Sequence, residues 1–268
     1  MLRHFSVRCL PCDFSRRSRE REAERADAGS VMDDNITGER REGATAQAVE
    51  ETVAAVDGGA PDDGEAALAH LRSVDAVLAR LIEAVGPFRL PRRPGHFYAL
   101  LSSIVSQQIS TRAAAAIMGR IEALFPPDDG VTAEGVLILG FEALRGAGLS
   151  GPKTRYVLDL AERVANRELD LAGLAARDDE AIIAELVRVK GIGRWTAEMF
   201  LIFSLRRMDV LPVDDLGLRA SLQRHYGLTG LPDRATSHRL GASWTPYRTV
   251  ATWYLWRSLN IVPGGDTA

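Results

Sequence analysis

Two short stretches place residue types that could do chemistry at a telling separation. The first is Val189-Lys190-Gly191-Ile192-Gly193-Arg194. Glycines let the backbone turn tightly at positive φ and leave no Cβ to hold a ligand away. The apolar run Met199 to Phe203 follows, so Gly193 reads as the threshold of a helix. Unpaired N–H groups at a helix start, together with the helix dipole, attract an anion. Lys190 and Arg194 flank the turn, main-chain N–H groups reach as far as Thr196, and a DNA phosphate is the natural anion. The alternative is a plain αα-turn without a ligand, although a bare glycine cap needs only one glycine. The second stretch, Leu211-Pro212-Val213-Asp214-Asp215-Leu216, puts a carboxylate 21 residues after Gly193, ahead of another helix. An ionised carboxylate stabilises oxocarbenium charge on a sugar and can orient or deprotonate a water. One of the two aspartates can instead cap the helix.

The elements that must position these groups are helical. Leu68, Leu71, Val74, Leu78, Leu81, Ile82 and Val85 recur at three- and four-residue steps, with Gly86-Pro87 as a stop. The same period predicts helices over 97–124 with a break near 106–110, and over 141–148, 151–167, 178–189, 193–206, 215–225 and 246–259. No segment alternates with period two. The expected class is all-α with short loops.

Composition sets limits. The 268 residues carry 46% hydrophobic side chains and a net charge of −3, which alone argues against a nucleic-acid protein. Residues 1–65 hold nine Arg against fifteen Asp or Glu, leaving 24 basic and 21 acidic side chains in 66–268. The second part is therefore mildly basic, too weakly to argue DNA binding by charge alone. The acidic, apolar-poor stretch 1–65 is expected to be a disordered tail, and 66–268 the folded domain. Cys9 and Cys12 are the only cysteines, and no second pair completes a zinc site. No cysteine beyond the tail is available for an iron–sulfur cluster. There is no run of eighteen apolar residues and no secretory signal, so the expectation is a soluble protein of the cell interior.

The glycine hairpin followed by Pro212-Val213-Asp214-Asp215 resembles the helix-hairpin-helix DNA glycosylase superfamily, and within it the 3-methyladenine DNA glycosylase II branch. The resemblance covers about residues 68–260, without the N-terminal β-domain of the longer members, and implies two helical lobes with a DNA cleft between them. It implies that Asp214 is the catalytic carboxylate and Asp215 the helix cap. It also implies a monovalent cation, sodium or potassium, on the main-chain carbonyls of Val187, Val189 and Ile192, bridging to phosphate; the chemistry requires no other cofactor. Members that also cut the backbone carry a Schiff-base lysine two residues after the second hairpin glycine. Here that position is Trp195, which implies a monofunctional enzyme and a wall for stacking an extruded base. Tyr247 matches an aromatic of the base pocket, and Met199 stands where the branch often has a ring. Ser106-Gln107-Gln108-Ile109-Ser110 resembles the segment that fills the gap left by a flipped base, with Gln108 at the wedge. Lys153 and Lys190 are expected to face phosphate or solvent, with a merely structural role as the alternative for Lys153.

These readings converge on a monomeric glycosylase that binds double-stranded DNA, flips a damaged base and hydrolyses its bond to deoxyribose. The expected lesion is an N3- or N7-alkylated purine. Two alternatives stay open: a glycosylase for deaminated or oxidised bases, and a DNA-binding, damage-sensing module without catalysis.

Overall fold

A computed structural model describes residues 63–90, 95–127 and 129–259. The readings made on the tail, including Cys9 and Cys12, lie outside the described residues. Among those residues there are eleven α-helices, two 3₁₀ turns and no strand. The helices are α1 Asp63–Val74, α2 Ala76–Val85, α3 His96–Ser106, α4 Thr111–Glu122, α5 Ala133–Gly146, α6 Gly151–Ala165, α7 Asp179–Leu186, α8 Arg194–Phe203, α9 Leu216–His225, α10 Arg234–Gly241 and α11 Arg248–Ser258.

Side-chain caps set most helix starts. Ser110, Thr132, Ser150, Asp178, Asp215 and Asp233 each accept a backbone N–H two or three residues inside the helix that follows. Asp75 does the same for α2, accepting from Val77 and Leu78 N–H, and this divides the single helix expected over 68–85. Gly86, at φ 87°, ends α2 where the glycine–proline stop was read. Two further expectations are corrected. Helix α5 starts at Ala133 rather than near Phe141, because Gly140 at φ 70° kinks it and breaks its periodicity. The polar helix α10 was not anticipated, and its Asp233 cap was its one local signal. The first described helix begins at Asp63, ahead of the 65/66 boundary, with Ala67 and Leu71 fully buried.

The helices sort by what they pack against. One set is α1, α2, α9 and α11; the other runs from α3 to α8, with α3 touching α4, α6 and α8. One continuous apolar cluster runs through both sets, including Leu100, Leu160, Ile202, Trp244 and Trp256. Each such side chain removed from water contributes about 1.5–3 kcal/mol. Phe203 of α8 stacks on Trp256 of α11 at 6.1 Å between centroids, so the two sets meet directly behind the hairpin.

Candidate nucleic-acid interface and active site

The hairpin consists of α7, the turn Val187–Gly193 and α8. Its two glycines have different tasks. Gly191 sits at φ 84°, and a Cβ there would lie 2.4 Å from the Tyr156 ring, so only glycine fits. Gly193 is extended at φ −94°, which corrects the positive φ expected of it; a Cβ there would meet open space. As N-cap of α8 it offers no side chain to the first N–H groups. Ile192 is buried and donates its N–H to the Val189 carbonyl at 3.1 Å.

The basic residues of the hairpin are engaged within the protein. Asp159 of α6 accepts the Lys190 backbone N–H at 3.0 Å and lies 3.4 Å from Lys190 Nζ. Those hydrogen bonds and neighbouring Arg163 hold the Asp159 carboxyl below its ordinary range despite burial, which acts the other way. Arg194 grips both oxygens of Glu180 on α7 and donates Nε to Glu198 Oε1 at 3.0 Å. Lys153 takes the structural role. Its Nζ donates to the carbonyls of Val105 and Gln107, at 2.7 and 2.5 Å, closing the end of α3. Burial lowers its pKa.

The Gln107–Gln108 segment lies against the hairpin. Gln107 Nε2 donates to the Gly191 carbonyl at 2.8 Å. Gln108 is exposed and held at φ 56°, a left-handed conformation rare outside glycine. Both line a cavity of about 510 Å³ between α3, α4 and α8. Trp195, Thr196 and Met199 form its α8 wall. Tyr247 is not brought there: its ring lies 5.6 Å from that of His70.

The aspartate pair divides its labour, and the assignment to Asp214 does not fit the geometry. Asp214 is exposed, and both of its oxygens are held by Arg234 at the start of α10. That pairing holds its carboxyl below the ordinary range. Asp215 is buried, 6% exposed, and is indeed the α9 cap, accepting from Leu218 N–H at 2.6 Å. It also accepts from Trp256 Nε1 at 2.7 Å and from Trp195 Nε1 at 2.8 Å. Trp195 thus shows one side to the cavity and binds Asp215 through its indole N–H. Three fixed donors hold this carboxylate in one orientation: two fill Oδ1, and Oδ2, which takes Trp195 alone, retains acceptor capacity. Sequence reasoning missed Trp256, Asp159 and Glu198. Nothing local signals them, because their partners are distant or their helical spacing suggests plain core.

Residues 101–246 match the family model described as the HhH-GPD superfamily base excision DNA repair protein. DNA-3-methyladenine glycosylase 1 of Schizosaccharomyces pombe is 34% identical over 196 residues, spanning 72% of this chain and 86% of the relative. Among solved structures, a Schizosaccharomyces pombe 3-methyladenine DNA glycosylase in complex with abasic DNA superposes with a TM-score of 0.66 at 31% identity, covering 75% of this chain and 99% of that one. A Bacillus halodurans DNA-3-methyladenine glycosidase gives 0.64 at 40% identity, with 70% and 86% covered.

Proposed function

Since the chain belongs to the HhH-GPD superfamily of base excision DNA repair proteins, we propose that it flips alkylated purines out of duplex DNA and hydrolyses their glycosidic bonds. Asp215, rather than Asp214, is the acting carboxylate in this reading. The observation that carries it is the Trp195 indole, which lines the cavity and donates to Asp215 at 2.8 Å. A base stacked on Trp195 would bring its sugar towards that carboxylate. Asp215 would stabilise the oxocarbenium charge as the bond breaks and orient the attacking water. An alkylated purine is cationic and leaves readily, so no general acid is needed. The DNA backbone would lie in a cleft between the two helical sets, against the uncapped start of α8.

The carbonyls of Val187, Val189 and Ile192 would hold a monovalent cation that extends the phosphate contact. Val189 already accepts one N–H and keeps a second lone pair for it. Among the described residues no helix is long and apolar enough to cross a membrane. The enzyme would act as a monomer inside the cell, where its substrate is. The test is release of free base from duplexes that each carry one defined lesion. N3- and N7-methylpurines should be released, and an intact set of lesions after exhaustive incubation would overturn the reading.

A further inference from the structure

We propose that Glu198 is a positioning residue for DNA engagement, anchoring Arg194 from a buried seat and taking up a proton when a phosphate chain reaches the hairpin. The inference rests on the hairpin being a DNA-binding element. Glu198 lies on α8 one turn beyond Arg194 and is 4% exposed. Its Oε1 accepts the Arg194 Nε at 3.0 Å, while Oε2 is buried without a hydrogen-bond partner among the described residues. An ionised carboxylate only accepts hydrogen bonds, and burying one with half its acceptors idle is costly.

The guanidinium that supports it is shared. Arg194 gives Nη1 to Glu180 Oε2 at 3.0 Å and Nη2 to the other oxygen, so an exposed carboxylate on α7 and a buried one on α8 divide one cation. The remaining charges acting on Glu198 and its partner are Asp214 and Arg234, which are locked to each other. Glu180 and Glu198 thus share the one Arg194 guanidinium, beside the helix start where phosphate is expected. An incoming phosphate adds negative potential and competes for Arg194. Glu180 is exposed and can turn to water. Glu198 cannot, and protonation is its way to shed the unbalanced charge. Burial, outweighing attraction to Arg194, already raises its carboxyl to about 7, so the exchange falls near neutral pH.

Calorimetry of the full chain with an undamaged duplex tests this, at pH 8 in HEPES and in Tris, whose ionisation enthalpies differ. The wild-type heat should differ between the buffers by the equivalent of up to one proton taken up. The dissociation constant should rise above pH 7 by up to about tenfold per pH unit, as proton linkage requires. Glu198→Gln cannot take up the proton, so its heat should be buffer-independent and its affinity flat over the same range. Should that variant fail to fold, Arg194→Gln serves instead: without its cation Glu198 is neutral beforehand, and the uptake should likewise vanish. Equal wild-type heats in the two buffers, or an undiminished difference in both variants, would overturn the role of Glu198. Failure of the wild-type chain to bind any duplex would overturn the DNA-binding reading itself, a result distinct from binding without proton uptake.

Discussion

An aspartate clamped by an exposed arginine and one held by three N–H donors should respond differently when their charge is removed. Asp215→Asn keeps the shape but turns an amide NH₂ towards Trp195 or towards Trp256 and Leu218, so donor meets donor. Base release should fall by about 10²-fold or more, the scale of a lost transition-state charge. Thermal melts run alongside separate this from unfolding. Asp214→Asn frees only an exposed ion pair with Arg234, and release should stay within about fivefold. The reverse outcome would return the chemistry to Asp214. The two hairpin glycines separate in the same way. Gly191→Ala forces a Cβ into the Tyr156 ring at positive φ and should cost more than about 1 kcal/mol of stability. Gly193→Val meets open space. It should leave the fold intact yet weaken binding to damaged and undamaged duplexes alike, because phosphate contacts position without specifying. Anisotropy titrations with both duplexes read this directly, and a loss confined to the damaged one would count against it. Sequence spacing showed that a carboxylate stands before α9. It did not show which one faces inward, because the deciding donors, Trp195 and Trp256, lie 20 and 41 residues away.

At the scale of helices, local signals were legible where a cap and a periodic face coincided. Helix α6 has Ser150, Pro152 and the buried stripe Thr154, Val157, Leu160 and Ala161, and its sequence bounds agree with the structure to within two residues. The division of α1 from α2 was not legible, since Asp75 sits inside an unbroken apolar period. Its importance is tertiary: beyond capping α2, its Oδ2 accepts from Tyr226 Oη at 2.6 Å and from Trp244 Nε1 at 2.9 Å. Asp75→Ala should lose the cap and leave the N–H of a fully buried tryptophan unpaired. These two losses predict about 2–4 kcal/mol of destabilisation in urea, with little change in chemistry per folded molecule. The hairpin helices predict a pH effect through Glu198. Its folded carboxyl titrates at about 7, above its usual value of 4.5. The folded state therefore binds the proton more tightly, and this stability is full below about pH 4.5 and is lost as pH rises through about 7. The decline should be at most about 3 kcal/mol. Glu198→Gln should flatten the slope of unfolding free energy across that window, and an unchanged slope would assign it to other groups.

For the whole molecule, the all-α class followed from periodicity, whereas the cavity and the joining of its walls depended on packing that no window of sequence contains. Gln107 and Lys153 illustrate this: each reads as a polar surface residue, yet they tie the end of α3 to the hairpin and close its last turn. Charge also belongs to this scale. Residues 1–65 carry nine Arg against fifteen Asp or Glu and can only repel DNA on balance. A chain starting at residue 63, which keeps α1 whole, should retain melting temperature and base release. A shorter chain starting at 76 loses buried Ala67 and Leu71 together with Asp75 and should fail to fold. The reaction's outcome follows from a property of the entire chain, which has only two lysines, Lys153 and Lys190. A glycosylase that also cuts the strand needs an amine at C1′ to form an imine. Lys153 Nζ is committed to two carbonyls, and Lys190 Nζ lies 3.4 Å from Asp159. The position beside the cavity belongs to Trp195. The product should therefore be an intact strand with an abasic site, broken only by later alkali, and borohydride should trap no protein–DNA adduct. Trp195→Ala should weaken lesion recognition by about 1–3 kcal/mol, the worth of one stacked base, without introducing strand cleavage. Denaturing gels run before and after alkali read the first outcome. Cleavage before alkali, with an adduct that maps to either lysine, would show that one of these amines leaves its observed partners to reach the sugar.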